Sequence, residues 1–405
     1  MFGKGSLSDV RVLDLTQMLA GPFCTQVLAD HGATVIKIEP PGGDGIRAVG
    51  PFLEGDEVRA FGGYFQSINR NKASIVLDLK NPEAREVFMT LVATSDVVVE
   101  NFRAGVMERL NLSYEALAVR NPAVIYATVR GFGDSRTGRS PYFEWPAYDV
   151  VAQAMGGIMG ITGPNETTPI KIGPGVGDTV PALMLTIGIL SALHHVKRTG
   201  NGQFVDVSMV DSVLAICERI IYQYSYQGRI AKPEGNHHPL ICPFGLFPCA
   251  NGFVALSCAS DALWCRLAEA IGRGELAHDP RFATNAARIA NASSVVATLE
   301  GFTRPRTKDE IKTILGGIVP FGPVYDARDI FEDLHFMTRE MIVDLDHPGS
   351  DRCVRVAGVP IKLSKTPGGV GRRAPMLGEQ TDQILEAAGY SRPAIANMRR
   401  SGAVA

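Results

Sequence analysis

The sequence predicts an α/β fold on a parallel sheet, and three observations carry that expectation. Short Val- and Ile-rich runs alternate with amphipathic segments through the first third of the chain. The runs are apolar throughout, as strands covered on both faces are. Between them stand helix-start and helix-stop signals, with Pro, Gly and capping residues at the expected places.

Taken in order, "VRVLDLT" (Val10 to Thr16) reads as the first buried strand, and "GPFCTQVLADHGA" as a helix ended by Gly32. "TVIKIE" is the second strand, closing at Glu39. "LDLKNPEAREVFMTLVATSD" opens a helix at Asn81-Pro82-Glu83, a cap followed by Pro in the first turn. "DVVVEN" and "AVIYATVRGFG" are further strands, with a short helix starting near Ser113 between them. From Tyr148 the pattern turns helical: "YDVVAQAMGGIMG", a Gly/Pro loop, then the helix after Asp178. "QFVDVSMVDSVLAICERIIYQYSYQG" reads as a strand and another helix. After Gly228 the composition shifts. "GNHHPLICPFGLFPCANGFVALSC" reads as strands of a smaller unit, followed by helices from Ala262 to Leu315. The tail from Val354, with Pro360, reads as a strand, a loop and a last helix.

A chain of 405 residues is long for one core, so two domains are expected. It is 45% hydrophobic and 20% charged, with a formal net charge of -2. That balance gives no electrostatic case for nucleic acid or an anionic membrane as partner. Seven scattered Cys without a C-x-x-C pair suggest a reduced, cytoplasmic chain. Eight His without ligand spacing give no expectation of a metal. The N-terminal "MFGKGSLSDV" lacks a signal peptide's apolar run. The most apolar stretch, Thr179 to Leu193, is shorter than the ~20 residues of a membrane span and reads as a buried helix.

In an open α/β sheet the ligand sits beyond the carboxyl ends of the strands. Here those ends carry Gln17 to Ala20, Glu39 to Gly43, Asn101 to Arg103 and Arg130 to Gly133, each mixing small and polar residues. "GPGVG" (Gly173 to Gly177) has neither a Gly-Lys-Ser/Thr ending nor the G-x-G-x-x-G form, so it is weak as a nucleotide fingerprint. There is no G-x-S-x-G elbow for a serine hydrolase. Asp178 is the only charge in "VGDTVPALMLTIGIL". Position alone favours a helix cap for it. A carboxylate beside glycines at a helix start can equally act as a nucleophile on an activated acyl carbon, with helix N–H groups ready for an oxyanion.

Several blocks narrow the choice. "VLDLTQMLAGPFCTQVLADHGATVIKIEPPGGD", "LDLKNPEAR", "VVVENFRAGVMERL", "PAYDVVAQAMGGIMGITG", "GDTVPALMLTIGILSALHHVKRTGNGQFVDVSMVDSVL", "GPVYDARDIFEDLHF" and "APMLGEQTDQIL" resemble the family III CoA-transferases, in order and over nearly the whole chain. The resemblance implies a large Rossmann-like domain whose parallel sheet is built from both chain ends, a smaller α+β domain, and a homodimer of interlinked subunits. Mapped onto this chain, that gives 1–200 as the large domain, 201–227 as a linker helix and 228–330 as the small domain. A linker at 331–353 and a return to the large domain at 354–405 complete it.

The resemblance also assigns residues. Asp178 falls on the nucleophilic aspartate. Leu19 and Ala20 fall on the loop lining the thioester, and Tyr148 and Asp149 on a segment near its acyl end. Leu77, Lys80, Asn101, Phe102, Arg103 and Arg109 fall on contacts to coenzyme A, while Pro40 stands where some members carry an Arg. No permanently bound cofactor is implied; coenzyme A arrives as the acyl-CoA substrate. "GNHHPLICPFGLFP" resembles members that use succinyl-CoA with malate, citramalate, itaconate or mesaconate, which makes His237 and His238 candidate donors to a second carboxylate. The competing reading is that these His only cap a turn. Formyl/oxalate members carry a Gln at the Leu19 position, so oxalate is disfavoured. An α-methylacyl-CoA racemase of the same fold is the enzymatic alternative, and a non-enzymatic acyl-CoA binder a minor one. The racemases place a His where Tyr148 stands, and a phenol is a poor base at neutral pH.

Overall fold

The computed structural model describes residues 5–405; the first four residues, where the N-terminal stretch read for a leader begins, lie outside them. The chain divides into two compact units. Unit 1 comprises Met1–Ile158, Ile172–Glu218 and Leu334–Ala405, and unit 2 comprises Met159–Lys171 and Arg219–Asp333.

Unit 1 is organised by a six-stranded sheet of order β3-β2-β1-β4-β5-β6, every pairing parallel. Its strands are β1 (Arg11–Asp14), β2 (Thr34–Glu39), β3 (Ala73–Val76), β4 (Val97–Glu100), β5 (Ile125–Arg130) and β6 (Phe204–Ser208). Each of β3, β4 and β5 is buried at every position, which is why their sequences do not alternate. The helices that cross between them or follow them are α1 (Ala20–Asp30), α2 (Gly63–Asn69), α3 (Pro82–Val92), α4 (Val106–Arg109), α5 (Tyr114–Arg120), α6 (Asp149–Met155), α7 (Val176–Thr199) and α8 (Met209–Ala215). Local chemistry places their starts. Asn81 accepts from Glu83 N with Pro82 next in line, and Ser113 and Ser208 cap α5 and α8 in the same way. Strand order reverses direction between β1 and β4, the point at which doubly wound sheets open a crevice.

Three expectations are corrected here. The sheet is not built from both chain ends, since all six strands lie between Arg11 and Ser208. The C-terminal segment instead covers the exposed edge of β3: Ser74 N donates to Gln380 Oε1 (2.9 Å), Gln380 N donates to Ser74 O (3.0 Å), and Leu77 bridges Val404. Covering an open edge in this way removes a template for association. Secondly, residues 201–227 are not a linker helix. "FVDVS" pairs with β5 as the sixth strand, while Ile342–His347 and Ser350–Ala357, mostly within the expected 331–353 linker, form an antiparallel hairpin. Thirdly, α7 runs for 24 residues, longer than its apolar core, and is long and apolar enough to cross a membrane by length and composition. It is not wholly buried. One face, including Ala182, Leu185 and Ile189, packs inside unit 1, while Leu183, Met184, Ile187 and Leu190 form an exposed apolar stripe.

Unit 2 holds a three-stranded antiparallel sheet of Phe244–Cys249, Gly252–Ser257 and Phe321–Pro323. Helices pack on it around Trp264, Phe247, Leu267 and Leu299, all fully buried. Arg288 is buried among them and saturated, donating to Cys242 O, Phe282 O and Asp261.

Candidate functional site

Asp178 is the third residue of α7, and the residue capping that helix is Gly175. The four N–H groups that open the helix are all engaged. Val176 N donates to Pro174 O, while Asp178 N and Thr179 N donate to Gly175 O. Gly177 N donates to Asp149 Oδ1 at 2.8 Å. Two expectations change as a result. Asp178 does not cap its helix, because Asp149 does so from the start of α6, where Gln153 Nε2 steadies both of its oxygens (2.8 and 3.0 Å). Nor are the N–H groups of Val176 to Thr179 left for an oxyanion, since each has a partner within the chain.

This division of labour depends on a glycine. A side chain at Gly177 would place its first carbon 2.4 Å from Asp149 O, so only glycine lets α6 and α7 approach this closely. Relieved of capping, the Asp178 carboxyl is half-buried and accepts no hydrogen bond among the described residues. Burial, then the charge of Asp149, pushes it up to about 7. Near neutrality it is therefore divided between acid and carboxylate, and the carboxylate fraction is poorly solvated. An anion in that state is nucleophilic.

Two other groups face it. Leu19 caps α1 and approaches Gly175 so closely that a side-chain carbon there would lie 3.2 Å from Leu19 Cδ2, so the N-terminal ends of α1 and α7 meet. Both helix dipoles then favour negative charge at this point. Tyr64, on α2, packs with Leu19 and Phe23 beside a small apolar cluster. Its phenol is pushed up by burial and by the charges of Asp178, Asp149 and Asp44, which places it in the same field. Sequence reasoning missed Tyr64. The only signal was a Tyr beside the i, i+4 pair Phe61 and Phe65, which reads as ordinary core.

A second feature lies at the carboxyl ends of β1, β2 and β4. A cavity of about 330 Å³ is lined by Leu77, Lys80, Phe102 and Arg109, with Gln17 and Pro40 completing the wall. Four of the six residues expected to contact coenzyme A are thus brought together. Lys80 and Arg109 are exposed and form no ion pair among the described residues, so both ammonium and guanidinium are available to phosphate oxygens. Arg103 is exposed but is not on the cavity wall. Asn101 is committed to the protein: it accepts from Gln17 N (2.9 Å) and donates to Gln17 O (2.7 Å) across the β1–β4 crevice. Gln17 lines the cavity and Leu19 touches the start of α7, so one short loop joins the cavity to Asp178. Ala20 is buried at the start of α1, and Tyr148 is 62% exposed as the residue capping α6.

Within unit 2, His237 and His238 line a cavity of about 800 Å³ together with Arg229, Lys232, Glu166 and Glu234. The two histidines differ. His238 Nδ1 accepts from Leu240 N (3.1 Å), a turn cap, and its ring tilts against Phe244. His237 stacks edge-on to Phe247, and burial lowers its pKa, so it stays neutral around pH 7 and offers one donor.

Residues 7–381 match the model of CoA-transferase family III. The chain is 47% identical over 385 residues to the succinyl-CoA:mesaconate CoA-transferase of Haloarcula hispanica, covering 95% of this chain and 97% of that one. It is 38% identical over 389 residues to the succinyl-CoA--D-citramalate CoA-transferase of Chloroflexus aurantiacus, covering 94% and 93%. Among solved structures it superposes on a CAIB/BAIF family protein from Brucella suis with a TM-score of 0.84 at 37% identity, covering 95% and 99%.

Proposed function

The chain belongs to CoA-transferase family III, and on that premise we propose that it moves coenzyme A from succinyl-CoA to a small dicarboxylate of the mesaconate, citramalate, malate or itaconate type, with Asp178 as the covalent nucleophile. The observation that carries the nucleophile is the state of its carboxyl: half-buried, free of capping, without a hydrogen bond among the described residues, and pushed up to about 7.

The steps balance without a metal or ATP. The Asp178 carboxylate attacks the thioester carbonyl and expels CoA thiolate, leaving a mixed anhydride. The thiolate attacks the Asp178 carbonyl of that anhydride and releases succinate, leaving an aspartyl-CoA thioester. A carboxylate of the acceptor then attacks this thioester, giving a second anhydride and free thiolate. The thiolate finally takes the acceptor acyl group and frees Asp178. Each step exchanges one activated acyl group for another of similar energy, so no step has to be driven. Lys80 and Arg109 would hold the CoA phosphates, a role supported by their place on the cavity wall. Leu19 and Ala20 would line the thioester and Tyr148 and Asp149 would flank its acyl end, supported by the approach of Leu19 and Asp149 to the start of α7. His237 and His238 would meet the second carboxylate of the acceptor, supported by their shared cavity with Arg229 and Lys232.

The enzyme would work in the cytoplasm as an interlinked homodimer. Its seven unpaired cysteines support a reducing compartment, and the exposed stripe on α7 supports burial against another copy. Asp178→Ala and Asp178→Asn should abolish transfer with the fold intact, and hydroxylamine trapping with acyl-CoA should mark the Asp178 peptide. Turnover by Asp178→Ala at the wild-type rate would refute the mechanism. Incubation with a chiral 2-methylacyl-CoA in deuterated water should leave the α-proton in place; rapid exchange without an acceptor would favour the racemase.

A further inference from the structure

The loop between β1 and α1 is held at five consecutive backbone groups. Asp14 Oδ1 accepts from Thr16 N (2.9 Å), and Lys37 Nζ donates to Thr16 O (2.7 Å). Asn101 takes both Gln17 N and Gln17 O. Asp44 Oδ1 accepts from Met18 N (3.3 Å), and Asp44 Oδ2 lies 3.0 Å from Lys37 Nζ. The side chains of Lys37 and Asp44 are both fully buried.

What they hold is strained. Met18 sits at φ 68°, the left-handed region, without being glycine and with 40% of its surface exposed. Nothing in the packing of an exposed methionine demands that conformation, so the clamp imposes it. The next residue, Leu19, is the one that meets Gly175 at the start of the Asp178 helix. A buried lysine and aspartate, neither of them on the cavity wall, thus set the direction of the wall opposite the nucleophile.

We propose that Lys37, acting with Asp44, is a positioning residue for acyl transfer: the pair clamps the Thr16–Met18 backbone in its strained turn and thereby aims Leu19 and the thioester at Asp178. The proposal rests on the reading of Asp178 as nucleophile. Its geometric logic is that displacement of a bound acyl group by about 1 Å can slow an attack about a hundredfold while leaving the remote binding contacts in place. Gln17 is the one residue of the clamped turn on the wall of the CoA cavity, whereas the cationic groups Lys80 and Arg109 come from the segments after β3 and β4, so binding and acylation should largely separate.

The test measures three quantities on the full chain: the single-turnover release of CoA thiol from succinyl-CoA without acceptor, with a thiol reagent present to trap the thiolate before it attacks the anhydride, the Kd for free CoA by calorimetry, and the melting temperature. Asp44→Ala and Lys37→Met should slow thiol release by about thirtyfold with the CoA Kd within about twofold of wild type. Adding Met18→Gly to Asp44→Ala should restore at least about threefold of the lost rate, because glycine takes a positive φ without a clamp. A general loss of stability would not be rescued by a more flexible residue. Should the buried variants fail to fold, Met18→Val decides from the exposed side, since a β-branched residue resists that φ. It should slow thiol release about tenfold at unchanged CoA Kd. Thiol release at the wild-type rate in folded Asp44→Ala or in Met18→Val, a loss that tracks the CoA Kd, or no rescue by glycine would each overturn the proposal. If the wild-type enzyme gives no acyl adduct on Asp178, the nucleophile reading fails first and takes the proposal with it.

Discussion

Replacing Asp178 by Asn should remove activity and yet make the protein harder to unfold, and the gain should grow with pH. The Asp178 carboxyl stands at about 7 against an ordinary 3.8, with burial as the first cause and Asp149 as the second. Between those values the folded chain holds a proton that the unfolded chain has released. Stability therefore falls as pH rises through this window, and the full penalty is present above pH 7. A difference of about 3 corresponds to a ceiling of ~4 kcal/mol. Solvent reaches part of the group, so screening reduces this to ~2 kcal/mol at pH 8 and under ~1 kcal/mol at pH 5.

Asparagine has the shape of the carboxyl and never ionises, so Asp178→Asn relieves the penalty without opening a cavity. For a unit of this size ~2 kcal/mol should appear as a rise of about 4–8 °C in melting temperature at pH 8, shrinking by more than half at pH 5. The assay is thermal unfolding of wild type and variant by circular dichroism across pH 5 to 8.5, with CoA binding as the check on integrity. A stabilisation independent of pH, or a destabilisation at pH 8, would refute the claim that the native fold holds this carboxylate under strain. Such a cost is what a site pre-set for nucleophilic attack carries.

The same carboxyl should govern rate: CoA thiol release without acceptor should rise with pH through about 7, and Asp149→Asn should move that midpoint downward, read by stopped-flow thiol trapping. Gly177→Ala should cost both stability and activity, because its new methyl would lie 2.4 Å from Asp149 O and force α6 off α7; a folded, fully active variant by melting and turnover would contradict that packing. Lys80→Ala and Arg109→Ala should each raise KM for succinyl-CoA about tenfold, with kcat little changed and a weaker salt dependence, in steady-state assays at two ionic strengths. His238→Ala should raise KM for the dicarboxylate more than KM for the CoA ester, whereas equal values would leave His238 with only its turn-capping bond to Leu240.

The fold was legible where one residue type settles the matter locally. Asn81-Pro82 starts a helix whatever surrounds it, and "TVIKIE" became β2 with its boundaries unchanged. β3, "ASIV", carries no such signal, because four residues between Lys72 and Leu77 are too short a run to separate from a helix lead. Part of the candidate site was legible because strand ends in a parallel sheet converge: Gln17, Pro40 and Phe102 follow three different strands and meet at one cavity, whereas Arg109 was assigned only through the family resemblance. What stayed hidden was which polar groups serve the protein and which serve a ligand. Asp178 and Asp149 are both acidic residues at helix starts, and sequence position favoured the first as the cap. The structure reverses this because Gly177 lets α6 approach α7, so that Asp149 supplies the capping oxygen from a neighbouring element. Lys37 and Asp44 likewise read as a strand lysine and a turn aspartate until Thr16 O and Met18 N are brought between them. A carboxylate becomes available for chemistry only when another group takes over its structural duty, and that transfer is a property of two elements in contact, which no single segment of sequence encodes.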